Sequence, residues 1–305
     1  MLRRILAVIV LILGVVTVCG ESRLDTISMP TLSARNNRPI TVYLPNGYDG
    51  ESTGSDTVRY PVMYLLHGIN GDEYSWLLQG DVKHLLDSLT DNRIIRPCVV
   101  VMPNTNAGKH IWGKRYKDVE DNRDLKKKGM MRNLLGYFKN RKGNFIDYFN
   151  EIEDLTYLRY RVSNLPKDRV VVGLSNGAYQ AAAISNTHPG QYVWVGLLSP
   201  VIFKEQLPEV DNEWCITPEL PEGTHFYISV GEADIFRSYG IHFSKLLRKK
   251  HIPYVLISGK GSHNWKTWRK DFCTFMRYAF PYENGGAERI TESKEDPINF
   301  HTDES

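Results

Sequence analysis

One short segment carries a residue pattern suited to nucleophilic chemistry: residues 170–183 read VVVGLSNGAYQAAA. A serine hydroxyl attacks a carbonyl only when a base accepts its proton and hydrogen-bond donors stabilise the developing charge. A sharp strand-to-helix turn meets both needs, because it exposes the hydroxyl and points backbone N–H groups at the same place. Gly173 and Gly177 would let the two backbones cross closely, and Ser175 would then take a positive φ. The segment predicts Ser175 as a nucleophile; the simpler alternative is a loop that contains glycine and serine.

A base and an acid follow this serine in a suitable order. His263 lies in GKGSHNWKTW, directly after the last predicted strand, and we predict it as the base. Asp234 lies in ISVGEADIF after an earlier strand, and we predict it as the acid, with Glu232 as the nearby competitor. His67 precedes a glycine at another strand exit and is expected to order that loop. The order serine, aspartate, histidine is that of α/β-hydrolases and differs from those of chymotrypsin and subtilisin.

Two backbone N–H groups are predicted to bind the oxyanion that forms when a carbonyl is attacked. One belongs to Asn176, because this residue directly follows the nucleophile at the start of a helix. The other belongs to Ile69 in YLLHGINGDEYSW, where Gly68 lets the chain turn sharply after a strand.

Short apolar runs that would position these groups alternate with longer helical patterns. The first run alternates polar and apolar residues, which predicts an edge strand in an antiparallel start to the sheet. The last five are almost continuously hydrophobic, as expected for strands that are covered on both faces in a parallel sheet. The predicted strands are 40–45, 61–68, 98–103, 170–173, 192–199, 225–231 and 254–259.

The helix candidates between these strands repeat their apolar residues at helical spacing. Strand–helix alternation of this kind indicates crossover units in an α/β layer. We therefore predict an α/β fold with a mostly parallel central sheet and helices on both faces, as a single domain over residues 21–280. The predicted helices are 75–90, 145–160, 178–187, 239–250 and 267–279.

Two segments depart from this alternation. Residues 105–144 hold twelve Lys/Arg against four Asp/Glu and follow a strand, so we expect a basic insertion at the carboxyl edge of the sheet. It is either a lid or substrate-contacting surface, or a solvated loop. Residues 281–305 hold seven acidic and two basic residues, and this composition predicts a disordered tail.

The N-terminus reads as an export signal. Residues 1–20, MLRRILAVIVLILGVVTVCG, place two arginines before an apolar run that is short for a membrane span. An uncleaved membrane anchor and a lipid anchor at Cys19 are the alternatives. In each case we expect the mature protein outside the cytoplasm, secreted, periplasmic or at the cell surface.

Composition excludes several classes. Only Cys98, Cys215 and Cys273 follow the signal, so the chain is not a disulfide scaffold. No zinc or calcium pattern occurs, and we expect no metal and no cofactor. A formal net charge of +3 gives no reason to expect a nucleic-acid partner.

The ordered segments then resemble a known family of α/β-hydrolases. ITVYLPNGYDG, RYPVMYLLHGINGDEYSW, CVVVMPNTN, RVVVGLSNGAYQAA, GEADIF and GSHNWKTW are similar, in this order, to blocks of the esterase family that contains S-formylglutathione hydrolase (esterase D), tributyrin esterases, the feruloyl and acetyl-xylan esterases of carbohydrate esterase family 1, and the antigen 85 mycolyltransferases. The resemblance spans about residues 30 to 280.

The resemblance implies the α/β-hydrolase fold and the same roles for Ser175, Asp234, His263 and the two amides. Trp76 and Trp265 match aromatic residues that follow the family's HG and histidine blocks, so they are candidates for the substrate pocket or for core packing. The family's usual Ser-Met-Gly-Gly is here Ser-Asn-Gly-Ala, with Asn176 in place of methionine.

The expected function is that of an exported serine carboxylesterase that works through an acyl-enzyme, with acetyl or feruloyl esters on plant polysaccharides as candidate substrates. Export argues against S-formylglutathione, a cytosolic thiol ester. The alternatives are acyl transfer to a sugar hydroxyl, hydrolysis of siderophores or other small esters, and a carbohydrate-binding surface protein without turnover. The sequence leaves the oligomeric state open.

Overall fold

An eight-stranded sheet forms the centre of the computed structural model, which describes residues 21–29, 38–48, 59–105, 145–202 and 223–282. The strand order across the sheet is β1-β2-β4-β3-β5-β6-β7-β8. The strands are β1 (Arg23–Met29), β2 (Arg38–Leu44), β3 (Val62–Leu66), β4 (Val99–Pro103), β5 (Arg169–Leu174), β6 (Trp194–Leu198), β7 (His225–Gly231) and β8 (Tyr254–Gly259).

The six strands from β3 to β8 run parallel, and β1 and β2 add an antiparallel ribbon at one side. The central strands β3 and β5 are buried along almost their whole length, which accounts for their continuous apolar runs. The parallel strands all end at the same edge of the sheet, so the loops that follow them lie close together.

Helices cover both faces of the sheet, as the sequence predicts. One face packs against α3, α4 and α5 through residues such as Phe149, Ala181 and Phe243. The other packs against α2 and α6 through residues such as Leu86 and Phe272. The helices are α1 (Ser75–Leu78), α2 (Val82–Asp91), α3 (Phe149–Arg159), α4 (Asn176–Thr187), α5 (Arg237–Lys249) and α6 (Trp265–Ala279), with 3₁₀ turns at Phe145–Tyr148 and Pro166–Asp168.

The sheet corrects two expectations about its edges. The first predicted strand is not an edge strand, because β2 lies between β1 and β4 and pairs antiparallel with both. β1 was not predicted; its sequence RLDTISM holds only three apolar residues without strict alternation, and it closely follows the apolar run assigned to the signal. β8 was expected to be covered on both faces, yet it is the opposite edge strand and only one of its residues is fully buried.

The helix predicted over residues 75–90 is two helices. Gly80 and Asp81 separate α1 from α2, and Asp81 has a left-handed φ of 53°. A Cβ atom at Gly80 would lie 2.5 Å from the Trp76 carbonyl oxygen, so the chain can bend there only at a glycine. The periodicity of apolar residues continues across the break, which is why it predicts one helix.

The structure bears on the predicted domain boundaries only at residues 281–282. Tyr282 donates its backbone N–H to the Ile94 carbonyl oxygen, so residues 281–282 belong to the fold and not to a disordered tail. The predicted signal over 1–20, residues 106–144 of the insertion and residues 283–305 lie outside the described ranges. Within those ranges no helix has the length and apolar character needed to span a membrane.

The backbones of β5 and α4 approach each other closely. A Cβ atom at Gly173 would lie 2.3 Å from both the carbonyl carbon and the oxygen of Gly177. A Cβ atom at Gly177 would lie 2.4 Å from the His67 carbonyl oxygen. Since the obstructing atoms belong to the main chain, they cannot rotate away as a side chain would, and the two glycines fix α4 against β5 and the exit of β3.

This crossing makes a stability prediction. Gly173→Ala should lower the free energy of unfolding by at least about 3 kcal/mol, because strand and helix must separate to admit one methyl group. Gly259→Ala is the matched control, since no atom lies within 4 Å of the Cβ position there; its change should stay within about 0.5 kcal/mol. Denaturant unfolding followed by circular dichroism measures both, and equal stabilities would contradict the proposed constraint.

Candidate active site

Ser175 occupies the turn between β5 and α4. Its backbone has φ 55° and ψ −116°, a positive φ that is strained for a residue with a side chain. Its N–H donates to the Leu198 carbonyl oxygen at 2.9 Å, and its carbonyl oxygen accepts from the Val201 N–H at 3.2 Å. These bonds tie the turn to the end of β6, and the hydroxyl stands at the carboxyl edge of the sheet.

The loops after β7 and β8 are joined through their main chains. The Ala233 N–H donates to the Gly261 carbonyl oxygen at 2.9 Å, and the Glu232 N–H donates to the Gly259 carbonyl oxygen at 2.9 Å. A Cβ atom at Gly231 would lie 2.4 Å from the same Gly261 oxygen. The segments that carry Asp234 and His263 are therefore held in direct backbone contact.

The side chains of Ser175, His263 and Asp234 meet in one hydrogen-bonded chain. The Ser175 hydroxyl donates to His263 Nε2, with an Oγ–Nε2 distance of 2.9 Å, and His263 Nδ1–H donates to Asp234 Oδ2 at 3.0 Å. The competitor Glu232 is exposed to solvent, whereas Asp234 is buried beneath the imidazole. This arrangement allows the imidazole to accept the serine proton while the carboxylate fixes its tautomer.

The charge of Asp234 is stabilised within the site. Burial by itself would raise the pKa of this carboxyl, but the hydrogen bond and positive charge of His263 and the N–H of Phe236 together lower it below its ordinary value. The Phe236 N–H donates to Asp234 Oδ1 at 2.7 Å. These partners therefore favour the ionised form of Asp234.

Two aromatic rings enclose the imidazole of His263. The ring centroids of Phe236 and Trp268 lie 4.8 Å and 5.0 Å from that of His263, both in nearly perpendicular orientations. Such edge-to-face contacts limit rotation of the imidazole. They hold Nε2 toward Ser175 and Nδ1 toward Asp234.

The predicted oxyanion amides flank the nucleophile. Asn176 is the first residue of α4, and a Cβ atom at Gly68, next to Ile69, would lie 3.4 Å from Ser175 Cβ. Within the described part of the chain, no acceptor is bonded to the N–H of Ile69 or of Asn176. These two donors are therefore placed to serve as an oxyanion site, the role that we propose for them below.

His67 anchors the loop that carries Ile69. The Thr105 N–H donates to His67 Nε2 at 2.9 Å, so Nδ1 carries the proton and donates to the Gly68 carbonyl oxygen at 2.7 Å. Gln180 of α4 completes the network by donating to the Thr105 carbonyl oxygen at 3.2 Å. Sequence reasoning gave the loop-ordering role to His67 but missed Thr105 and Gln180, since three distant segments meet only in the fold.

The two tryptophans predicted for the substrate pocket differ in exposure. Trp76 is 1% exposed, donates its Nε1–H to the Leu66 carbonyl oxygen and packs against Phe272, so it is a core residue and not a pocket residue. Trp265 is partly exposed beside it, at a ring distance of 5.2 Å, and remains a candidate for substrate contact. A tryptophan after an HG block therefore does not by itself indicate a pocket.

Other chemistry finds little support in the described ranges. They contain no group of three or more His, Cys, Asp and Glu side chains that could hold a metal ion. Cys98 and Cys273 carry free thiols, and Cys98 is buried in an apolar environment that raises the pKa of its thiol to about 12. A thiol in that environment is a packing group and not a nucleophile.

Comparison with known proteins places this site in a family. The family model described as "Putative esterase" matches residues 33–278, and the chain therefore belongs to this family. Its class is that of serine hydrolases that act on carboxylic esters. A bifunctional endo-1,4-beta-xylanase/feruloyl esterase of Xylanibacter ruminicola is 25% identical over 238 residues. This match covers 75% of the chain but only 27% of the length of that relative.

Solved structures of esterases share the fold. A ferulic acid esterase superposes with a TM-score of 0.66 at 19% identity, with 85% of this chain and 97% of that chain covered. The S-formylglutathione hydrolase of Staphylococcus aureus gives a TM-score of 0.62 at 18% identity, with 85% and 99% covered. A ferulic acid esterase of Anaeromyces mucronatus gives 0.64 at 17%, with 84% and 90% covered. These similarities confirm the predicted α/β-hydrolase fold.

The buried His67 makes a pH prediction. Burial lowers the pKa of His67 to about 4, whereas an unfolded histidine titrates near 6.5. Between these values the unfolded chain binds a proton that the folded chain excludes, so stability is lost as the pH falls from about 6.5 to about 4. At pH 5 the wild type should have lost about 2 kcal/mol through this residue.

The His67→Gln variant tests this assignment in denaturant unfolding at pH 7 and pH 5. The difference between the two pH values should be about 2 kcal/mol smaller than in the wild type, whatever the variant loses at pH 7. His84→Gln changes an exposed histidine on α2 and should leave the difference as it is in the wild type. An unchanged difference in His67→Gln would show that His67 is not excluded from protonation by the fold.

Proposed function

We propose that this chain is an exported serine carboxylesterase in which Ser175 is the nucleophile, His263 the base and Asp234 the acid. The observation that carries the proposal is the hydrogen-bonded chain from the Ser175 hydroxyl through His263 to the Asp234 carboxylate, at 2.9 Å and 3.0 Å. A lone serine in a strained turn has no structural need of an imidazole backed by a buried carboxylate, but an attacking serine does.

Catalysis would proceed in two transfers of the acyl group. Ser175 Oγ attacks the ester carbonyl while His263 Nε2 takes its proton, and the N–H groups of Ile69 and Asn176 bind the oxyanion. The intermediate expels the alcohol, which receives the proton from His263, and leaves the acyl group on Ser175. A water molecule then gives a proton to His263 and attacks the acyl-enzyme, which releases the acid and restores the serine hydroxyl.

The proposed substrates are feruloyl or acetyl esters on plant polysaccharides. The relative from Xylanibacter ruminicola combines a feruloyl esterase with an endo-1,4-beta-xylanase in one chain, and a ferulic acid esterase is among the structures with the same fold. The apolar run that follows two arginines at the N-terminus supports export, where such polymers occur.

Exposed apolar side chains in the segments that follow β3 and β7 support an apolar acyl or aryl group. Large apolar residues that face solvent are Leu78 after β3, 73% exposed, and Ile235 after β7, 68% exposed, with Tyr74 partly exposed near the first. Helix α1, which ends at Leu78, and the loop that holds Ile235 follow strands that end at the carboxyl edge of the sheet, the edge at which Ser175 lies. Exposed apolar groups at one edge are typical of a surface that binds an apolar ligand.

Removal of the nucleophile tests the mechanism. Ser175→Ala should reduce the turnover of p-nitrophenyl acetate by about four to six orders of magnitude, because no other group can form the acyl-enzyme. A fluorophosphonate probe should label the wild type and not the variant. A variant that keeps wild-type turnover, with circular dichroism showing an intact fold, would remove Ser175 from the mechanism.

The exposed side chain of Ile235 predicts a change in substrate binding. Ile235→Ser should raise KM for methyl ferulate by about three- to tenfold with little change in kcat, because it removes apolar contact that is equal in the ground and transition states. Leu158→Ser is the control, since Leu158 is equally exposed at the end of α3, which leads to the amino end of β5. Equal KM values for all three proteins would mean that Ile235 does not contact the substrate.

The substrate class is decided by activity on several esters. Hydrolysis of methyl ferulate or acetylated xylan by the wild type would support the polysaccharide assignment. Preference for a small siderophore ester would replace it, and an acylated sugar in the presence of an added sugar acceptor would identify acyl transfer. Probe labelling of Ser175 without turnover of any ester would leave a binding protein on the same fold.

A further inference from the structure

A second buried carboxyl lies behind the catalytic acid and has no part in the mechanism above. Asp271 on α6 is 9% exposed, and it sits in the stripe of that helix that packs on the sheet, next to Phe272 and one turn after Trp268. Burial of an anion in an apolar stripe is costly, because the charge loses its hydration. Helix packing alone would favour an apolar side chain at this position.

The polar groups around Asp271 come from β7. Tyr227 and Ser229 alternate along β7 and so face the same side of the sheet, where Tyr227 packs against Phe275 of α6. The Ser229 hydroxyl contacts the Asp271 carboxyl and Lys270 lies near it on the helix. Within the described chain, neither Tyr227 OH nor Ser229 Oγ makes a hydrogen bond of full geometry. The carboxylate is therefore only weakly compensated.

The same polar row continues to the catalytic acid. The Ser199 N–H donates to the Ser229 carbonyl oxygen at 2.8 Å. The Ser199 hydroxyl lies near the Asp234 carboxyl but, within the described chain, completes no hydrogen bond of full geometry. Asp271 and Asp234 repel each other when both are ionised, and this repulsion raises the pKa of Asp271. The imidazole of His263 packs on Trp268, which precedes Asp271 by one turn of α6.

The charge of Asp271 changes close to neutral pH. Burial raises the pKa of this carboxyl to about 6; the Ser229 hydroxyl and the Lys270 ammonium offset part of that effect, while Asp234 adds to it. The titratable groups that face Asp271 are Tyr227 from β7, Asp234 from the loop after β7, and Lys270 from its own helix. Burial keeps Tyr227 protonated, since it raises the pKa of that hydroxyl far above its ordinary value.

We propose that Asp271 is a positioning residue for the Asp234–His263 pair, and that its negative charge makes this pair a stronger base. An anion behind Asp234 stabilises the imidazolium that forms when His263 accepts the Ser175 proton. The effect passes through the low-dielectric interior between β7 and α6, where charges interact more strongly than in water. The inference rests on the proposed function, because it requires His263 to be the base.

The test is the pH dependence of kcat/KM for p-nitrophenyl acetate in Asp271→Asn. Removal of the charge should move the acid limb of the profile to lower pH by about half a unit, and should lower kcat/KM at pH 8 by about threefold with KM unchanged. Because ionisation of the buried carboxyl opposes folding above its pKa, the variant should be at least as stable as the wild type at pH 8.

A matched control and a second variant complete the experiment. Asp154→Asn removes an exposed carboxylate on α3 and should leave the acid limb of the pH profile in place. This control distinguishes the local effect of the Asp271 charge from the effect of the protein's net charge. Ser229→Ala removes the hydroxyl that favours the ionised form of Asp271. Because this change matters only near the pKa of Asp271, the loss of kcat/KM should be present near pH 6.5 and absent at pH 8. This variant tests the inference if Asp271→Asn does not fold.

Three outcomes overturn the inference. An unmoved acid limb in a folded Asp271→Asn would show that its charge does not reach the triad. A pH-independent rate loss accompanied by a lower melting temperature at pH 8 would assign Asp271 a purely structural role. If Ser175→Ala also keeps full turnover, the proposed function has failed; if Ser175→Ala is inactive and the limb is unmoved, only the role of Asp271 has failed.

Discussion

Direct backbone contact between neighbouring strand ends is the constraint on which the whole site depends. Ser175, Asp234 and His263 come from three separate stretches of the chain, and side chains alone could not hold such stretches within hydrogen-bond distance. Gly173 and Gly177 let α4 lie on β5, and Gly231 lets the loop after β7 lie on that after β8. In each case the missing Cβ allows main-chain atoms to touch, so the catalytic geometry is inherited from the path of the backbone.

The ionisable groups around the site show how partners, and not burial alone, determine charge. His67 is buried with a backbone donor and a backbone acceptor as its partners, so burial favours its neutral form and it supports the loop that carries Ile69. Asp234 is also buried but receives hydrogen bonds from His263 and the Phe236 N–H, which favour its charged form. Asp271 has few donors and its pKa rises. The three buried groups thus differ in charge because their partners differ.

The strands of the parallel sheet were predictable from the sequence because burial on both faces requires continuous apolar runs, as in VVVG before Ser175. The order of Ser175, Asp234 and His263 was predictable because each of them follows one of these apolar runs. β1 was not predictable, since a seven-residue segment with three separated apolar residues gives only a weak strand signal. The break between α1 and α2 at Gly80 depends on the left-handed backbone of Asp81, and the spacing of apolar residues gives no sign of that conformation. Thr105, Gln180 and Asp271 act through contacts between distant segments, and no local pattern marks such residues.

The antiparallel ribbon of β1 and β2 has a consequence for how the molecule would be oriented at a surface. Arg23 pairs with Leu44, while Ile40 pairs with Pro103 at the carboxyl end of β4. The chain therefore enters the sheet at the amino edge, on the opposite side from the hydroxyl of Ser175. Any group attached through the residues that precede β1 would therefore join the fold at the edge of the sheet that lies opposite Ser175, and it would leave the carboxyl edge unobstructed.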